Sequence, residues 1–528
     1  MFKIKFLRGM PLGLLIPCLL IAFVAISPVI HLTIRSLGAD ESTWLWFLRW
    51  KTLEIVWRSM ILAISVTIVC ISISVPISFL TNKTDIKFKQ LWKISAILPL
   101  VIPSYIGAYL FVSVLGPKGI LYQILNTLFN INSIPNLYGF TGSLIIISLL
   151  SYPYLLLTLN ATINNTDNSE EESARILGLG NYNIFRKVTL PQLMPSILSG
   201  GLLVSLYTLS DFGAVSLLRY KTLTWAIFNQ YSGSIDRNAT ALLALSLCML
   251  AITFVYFEST FRTKRKQYRA SPGVAKRHKI HKLGIWQIPA IIFCGAIVFL
   301  SLIMPVSMLV FWIIRGLLHN ETIPGMLEAS INSLSLGVMT AILVIILATP
   351  ISYLSVRYPR FISMLIEKIC YAGFSLPSIA ISIALVFIGS RIGSPLYQSM
   401  ALLVIACAIL YMPTGIGPIK STIELLSPKP EESSRTLGKG RFSTIFKVTI
   451  PMLRSGIFMG AVIVFLVTMK ELPAVLILSP LDFKTLSTMV WSYSTEAFFA
   501  EAAAPALLLI LLSSLPLTLV LIKSSVYK

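Results

Sequence analysis

Twelve apolar stretches, each near the length that crosses a bilayer as a helix, leave this chain few folds to choose from. They lie near 11–34, 55–80, 92–116, 141–160, 193–218 and 237–257, then near 286–314, 330–356, 369–390, 398–415, 453–478 and 500–522. A helix of about 20 apolar residues satisfies its own backbone within lipid, which an irregular segment cannot do. A soluble fold is excluded by composition. Hydrophobic residues make up 56% of the 528, and charged residues only 12%, against roughly 25% in soluble domains. The expectation is an all-α polytopic membrane protein of about 12 transmembrane helices.

The net charge of +22 does not indicate nucleic acid, because Lys and Arg gather in the loops between apolar runs. Nine basic residues and no acidic one lie between Arg262 and Lys282, as expected of a cytoplasmic linker under the positive-inside rule. The other basic loops, 81–91, 161–192, 357–368 and 416–452, fall on the same side, which places both termini in the cytoplasm. The first ten residues and the following run have the outline of a signal peptide. No A-x-A-like site follows, and the topology requires that the run be retained. Six cysteines in apolar stretches, without C-x-x-C spacing, read as small buried residues. The four histidines form no motif.

The twelve runs are two sets of six. The segment from Arg58 matches the one from Asn332 at an offset of 274 residues, aligning Pro76 with Pro350. Two parallel halves are expected: 1–257, with a transmembrane domain at about 55–257, and 286–528, with one at about 330–522. Residues 258–285 form the linker. A same-orientation duplication implies a pseudo-two-fold axis along the membrane normal and a path between the halves. The offset falls to 260 further on, so the first half carries extra residues in its outer 117–140 region.

The best-preserved match between the halves is polar. "EESARILGLGNYNIFRKVTLP" runs from Glu171 to Pro191, and "EESSRTLGKGRFSTIFKVTIP" from Glu431 to Pro451. Ser169 and Glu172 have capping-box spacing, and Ser427 with Pro428 marks a second helix start. Gly178 and Gly438 suit a left-handed helix stop. Asn183 and Ser443 are expected to cap a second short helix, and Pro191 and Pro451 to mark entry to the next span. Each copy then forms a helix–turn–helix elbow on the cytoplasmic face.

These residues resemble the cytoplasmic signature of binding-protein-dependent ABC importer permeases, E-A-A-x-x-x-G-x9-I-x-L-P. Glu172, Ser173, Ala174, Gly178, Val188, Leu190 and Pro191 fall on it in the first half. Glu432, Ser433, Ser434, Gly438, Val448, Ile450 and Pro451 do so in the second. The departures are Ser for Ala, Val for Ile and Ile for Leu. The resemblance implies a type I importer fold in the bacterial plasma (inner) membrane. It also implies coupling helices, with Glu171 and Glu431 at their start, docked on a homodimeric ATPase, and an extracytoplasmic binding protein as second partner. No phosphate-binding loop occurs in the chain: "LGKG" has Ser433 where the upstream glycine belongs and no Ser or Thr after Lys439. ATP is therefore expected to be used by the partner, with no nucleotide site, cofactor, metal site or catalytic residue here.

After each elbow an acidic residue lies in or near the membrane, Asp211 and Glu471, again at an offset of 260. Intramembrane carboxylates are costly and tend to face a cavity or a partner. A structural alternative is an ion pair involving Lys470 and Glu471. "SDFGAVSLL", "KELPAVLIL", "LPLVIPSYIGAYL" and "SLPSIAISIAL" look like the fused two-half permeases of ferric iron importers, and Pro103 and Pro377 are candidates to kink spans along the path. Permeases for thiamine, polyamines or phosphonates share the layout. An ion-driven secondary transporter would leave the paired elbows unexplained, and no motif supports a membrane enzyme.

Overall fold

The computed structural model describes residues 12–526 apart from 131–135, 166–168, 235, 262–281, 320, 322 and 393–395. The basic linker thus lies almost wholly outside the described residues, and all regular elements among those described are helical. Among the described residues, nine helices are long and apolar enough to cross a membrane, or eleven when each of two bent pairs counts as one span. The apolar helix Phe499–Val526 stands where the twelfth is expected.

In chain order, span 1 is Leu12–Leu37 and span 2 is Trp50–Lys83. Span 3 is broken into Lys89–Ser95, Leu98–Val101 and Ser104–Leu115. Span 4 is Phe140–Asn165, span 5 Leu190–Ser210 and span 6 Arg237–Phe261. Span 7 comprises Gln287–Val298 and Met304–Leu318, joined by the wider turn Phe299–Ile303. Span 8 is Met326–Arg357, and span 9 comprises Phe361–Ser375 and Ser378–Ile392. Span 10 is Met400–Leu425, span 11 Arg454–Met469 and span 12 Phe499–Val526.

Four elements differ from expectation, of which spans 5 and 11 end at Ser210 and Met469, short of the expected 218 and 478. Span 10 runs ten residues past its expected end at 415, through Pro418, because a membrane helix tolerates proline where neighbours re-satisfy the freed carbonyls. The extra outer residues of the first half form a helix, Ile120–Phe129.

Each half has the same three-helix centre, spans 2, 4 and 5 in the first and spans 8, 10 and 11 in the second. Lipid offers no hydrophobic drive between helices, so close approach over small residues matters. A Cβ on Gly415 would lie 2.6 Å from Val344 Cγ1, and one on Gly460 would lie 3.2 Å from the Gly415 carbonyl oxygen. All six cysteines are buried in such packing and none is in a disulfide.

The first span of each half crosses over. Span 1 packs on spans 8 and 9 as well as on span 6, and span 7 packs on spans 2, 3, 4 and 12. Trp312 Nε1 donates to Ser113 Oγ at 3.2 Å, and Arg35 lies 4.1 Å over the Phe387 ring. The Leu283 amide donates to Asp85 Oδ1 at 2.8 Å, tying the start of span 7 to the loop after span 2. The halves are therefore interlocked.

Replacing Gly415 by Val should destabilise the protein by about 1–3 kcal/mol through overpacking against span 8. The check is a lower melting temperature of the detergent-solubilised protein.

Candidate functional site: two elbows and two buried acids

The first elbow opens with helix Ser169–Ile176 and stops at Gly178, whose φ of +81° is left-handed. The Leu179 amide then donates to the Ala174 carbonyl at 3.1 Å, the closing bond of a Schellman turn. In the second elbow, helix Lys429–Thr436 stops at Gly438 with φ +79°, and the Lys439 amide donates to Ser434 at 3.2 Å. Ser427 Oγ accepts from the Lys429 amide at 3.3 Å, whereas the Ser169 side chain lies outside the described residues.

One expectation is corrected. Asn183 and Ser443 do not cap the second short helices but lie inside them, at Asn181–Ile184 and Arg441–Thr444. Gly180 and Gly440 precede those helices and accept their first bonds. Both helices pass into a wider π turn, Phe185–Thr189 and Ile445–Thr449, and then on toward the membrane. Pro191 and Pro451 follow directly beyond the π turns, as second residues of Leu190–Ser210 and Ile450–Met452.

The motif splits into an inward and an outward face. Glu171, Ala174, Glu431 and Ser434 are buried. Glu172, Ser173, Glu432 and Ser433 are exposed, as are Ile176 (87%), Leu177 (80%) and Leu437 (80%). The exposed face of each elbow thus carries large apolar side chains beside carboxylates.

The inward glutamates bind the C-terminal ends of spans 2 and 8, where the partners sit at the 274-residue repeat offset. Glu171 pairs with Lys83, itself 3% exposed, and accepts from Thr189 Oγ1 at 2.7 Å. Glu431 accepts from the Tyr353 hydroxyl at 2.8 Å and lies 3.6 Å from Arg357. Thr449, the counterpart of Thr189, has no hydroxyl partner among the described residues. Behind the elbows lie two matching cavities of about 480 and 510 Å³, the first against Pro76 and Phe185, the second against Pro350 and Ile445. Sequence reasoning missed Lys83, Arg357 and Tyr353. The signal was there, a basic residue closing each matched span at one offset.

The acids lie at breaks in the membrane helices. Asp211 follows span 5, and its Oδ1 accepts from the amides of Ala214 (3.0 Å) and Val215 (3.4 Å) at the start of a short helix. Glu471 follows span 11 and accepts from the Ala474 amide at 2.9 Å and from the Tyr411 hydroxyl. The short helix after Asp211 packs on the last helix of span 3, and Pro473–Leu478, after Glu471, packs on the second helix of span 9, so each acid stands near the helix that follows Pro103 or Pro377. Pro103 opens the last helix of span 3, and Pro377 lies at a 103° bend in span 9. Lys470 makes no ion pair with Glu471; its Nζ donates to the Leu100 carbonyl at 2.7 Å, across the two halves. Among the described residues no three His, Cys, Asp or Glu side chains form a metal cluster.

A duplicated core is also what comparison with known proteins finds. The model of the binding-protein-dependent transport system inner membrane component matches residues 74–259 and again 341–523. The chain belongs to this family. The matched residues begin within spans 2 and 8, so the two crossing spans lie outside them. The chain is 30% identical, over 97% of its length and 98% of the relative's, to the Fe(3+)-transport system permease protein FbpB 2 of Haemophilus influenzae. It is 23% identical to the putative ferric transport system permease protein FbpB 1 of that organism, over 81% of this chain and 71% of the relative. The spermidine/putrescine permease PotB of the same organism is 32% identical over 40% of this chain and 77% of its own length. This family member is thus a membrane subunit with both permease halves in one chain.

Gly178→Ala and Gly438→Ala should each cost about 1–2 kcal/mol, because an L side chain resists the left-handed turn. Limited proteolysis should show faster cleavage at the altered elbow.

Proposed function

We propose that the chain is the permease of a ferric iron importer. It takes Fe³⁺ from an extracytoplasmic binding protein and passes it into the cytoplasm by alternating access. The observation that carries this reading is end-to-end similarity to a Fe(3+)-transport permease over 97% of the chain. In this reading both termini are cytoplasmic, and a homodimeric ATPase grips the two elbows from that side. The exposed faces, Glu172 with Ile176 and Leu177, and Glu432 with Leu437, offer it an apolar contact rimmed by carboxylates.

ATP is bound and hydrolysed by the partner. This chain supplies the path, holds no cofactor and performs no covalent chemistry. Asp211 and Glu471, with Pro103 and Pro377 breaking the adjacent helices, are the groups assigned to the path. Their oxygen donors suit a hard cation, and they stand where broken spans from both halves meet.

In proteoliposomes with ATPase and binding protein, Glu172→Ala with Glu432→Ala should leave ATP hydrolysis while lowering ferric iron uptake several-fold. Unchanged uptake would remove the docking role. Asp211→Asn with Glu471→Gln retains the oxygens that accept from backbone amides, so the melting temperature should hold while uptake falls. Normal uptake would return both acids to a purely structural role.

A further inference from the structure

The two elbows do not reach their spans in the same way. In the first half the helix continues unbroken from Asn181 through the π turn to Ser210, so any displacement of the elbow passes straight into span 5. In the second half the corresponding rod bends by 65° at Leu453, between Ile445–Met452 and Arg454–Met469. A rod bent by that angle at one turn residue, here the hinge, passes a push along its axis less directly than a straight rod does.

The second elbow keeps one stiff connection beside that hinge. Glu431 receives the Tyr353 hydroxyl at 2.8 Å and faces Arg357 at 3.6 Å, both on the last turns of span 8. Arg357 is itself anchored, donating to the Leu426 carbonyl at 3.1 Å. Span 8 packs along spans 10 and 11, so a push on its end moves the centre of the second half. Between these contacts and the hinge lies the cavity of about 510 Å³, bounded by Tyr353, Thr449 and Leu453.

We propose that Glu431, held by Tyr353 and Arg357, is the positioning residue that carries the coupling stroke of the second half into span 8. Its first-half counterpart has a different duty. Glu171 neutralises Lys83, which is 3% exposed, while the continuous helix carries the stroke. The same motif position thus serves transmission in one half and charge compensation in the other. This inference rests on the reading that an ATPase docks on the elbows.

The test uses the reconstituted complex of permease, ATPase and binding protein, and reads ferric iron taken up per ATP hydrolysed beside the melting temperature. Tyr353→Phe removes one oxygen, and Glu431→Gln removes the charge. Each should lower the ratio several-fold, while Tyr353→Phe keeps the wild-type melting temperature. Glu171→Gln should instead lower the melting temperature, since a buried cation left without its partner is strongly destabilising. The folded fraction should keep its ratio, and Lys83→Met with Glu171→Leu should restore the melting temperature. An unchanged ratio in Tyr353→Phe and in folded Glu431→Gln would overturn the proposal, as would equal uncoupling by Glu171→Gln. If the wild-type complex takes up no ferric iron, the transport reading fails instead. The lock is then read from the stimulation of ATP hydrolysis by the binding protein, with the same two outcomes.

Discussion

In hydrocarbon, every backbone amide and carbonyl must find its partner inside the protein, and this requirement underlies each feature of the fold. It makes the spans helical and forces any break in a helix to be repaired by side chains. The breaks after spans 5 and 11 are repaired by Asp211 and Glu471, which take the free amides of the short helices that follow. Thr224 and Ser487 in turn donate to the carbonyls of those same two residues, at 2.7 and 2.9 Å. A carboxylate at such a place is therefore required by the backbone.

Duplication kept the architecture and let the chemistry drift. Where the first elbow packs buried Ala174 and Ile184, the second pairs the hydroxyls of Ser434 and Thr444 at 3.1 Å. Phe79 stacks edge-on against Phe185 in the first half. Its counterpart Tyr353 turns a hydroxyl to Glu431. The salt bridge in each elbow survives, with Lys83 in one half and Arg357 in the other, because a buried glutamate without a cation would cost more than either pairing. What differs is the setting: a continuous rod beside one lock and a hinge beside the other.

The crossing of spans 1 and 7 turns two six-helix halves into one interlocked body. A span that leans on the opposite half ties the two halves together along their shared contacts. Lys470 reaching the Leu100 carbonyl and Trp312 reaching Ser113 are such contacts.

Much of this was legible in the chain itself. Twelve apolar runs, the two offsets and the paired polar motif determined the helical class, the duplication and the place of the elbows, because hydrophobic length and glycine stereochemistry act locally. Gly178 and Gly438 are left-handed in the turn their spacing demanded. Only the tertiary structure decided which motif residues face in. Burial of Glu171 and exposure of Glu172 depend on how each elbow rotates against spans 2 and 8, and no local rule sets that rotation. Lys83, Tyr353 and Arg357 entered the site for the same reason, being distant in sequence and joined by packing. The bend at Leu453 lay equally beyond the sequence, since Pro191 and Pro451 occupy equivalent positions and only one of the two rods is bent.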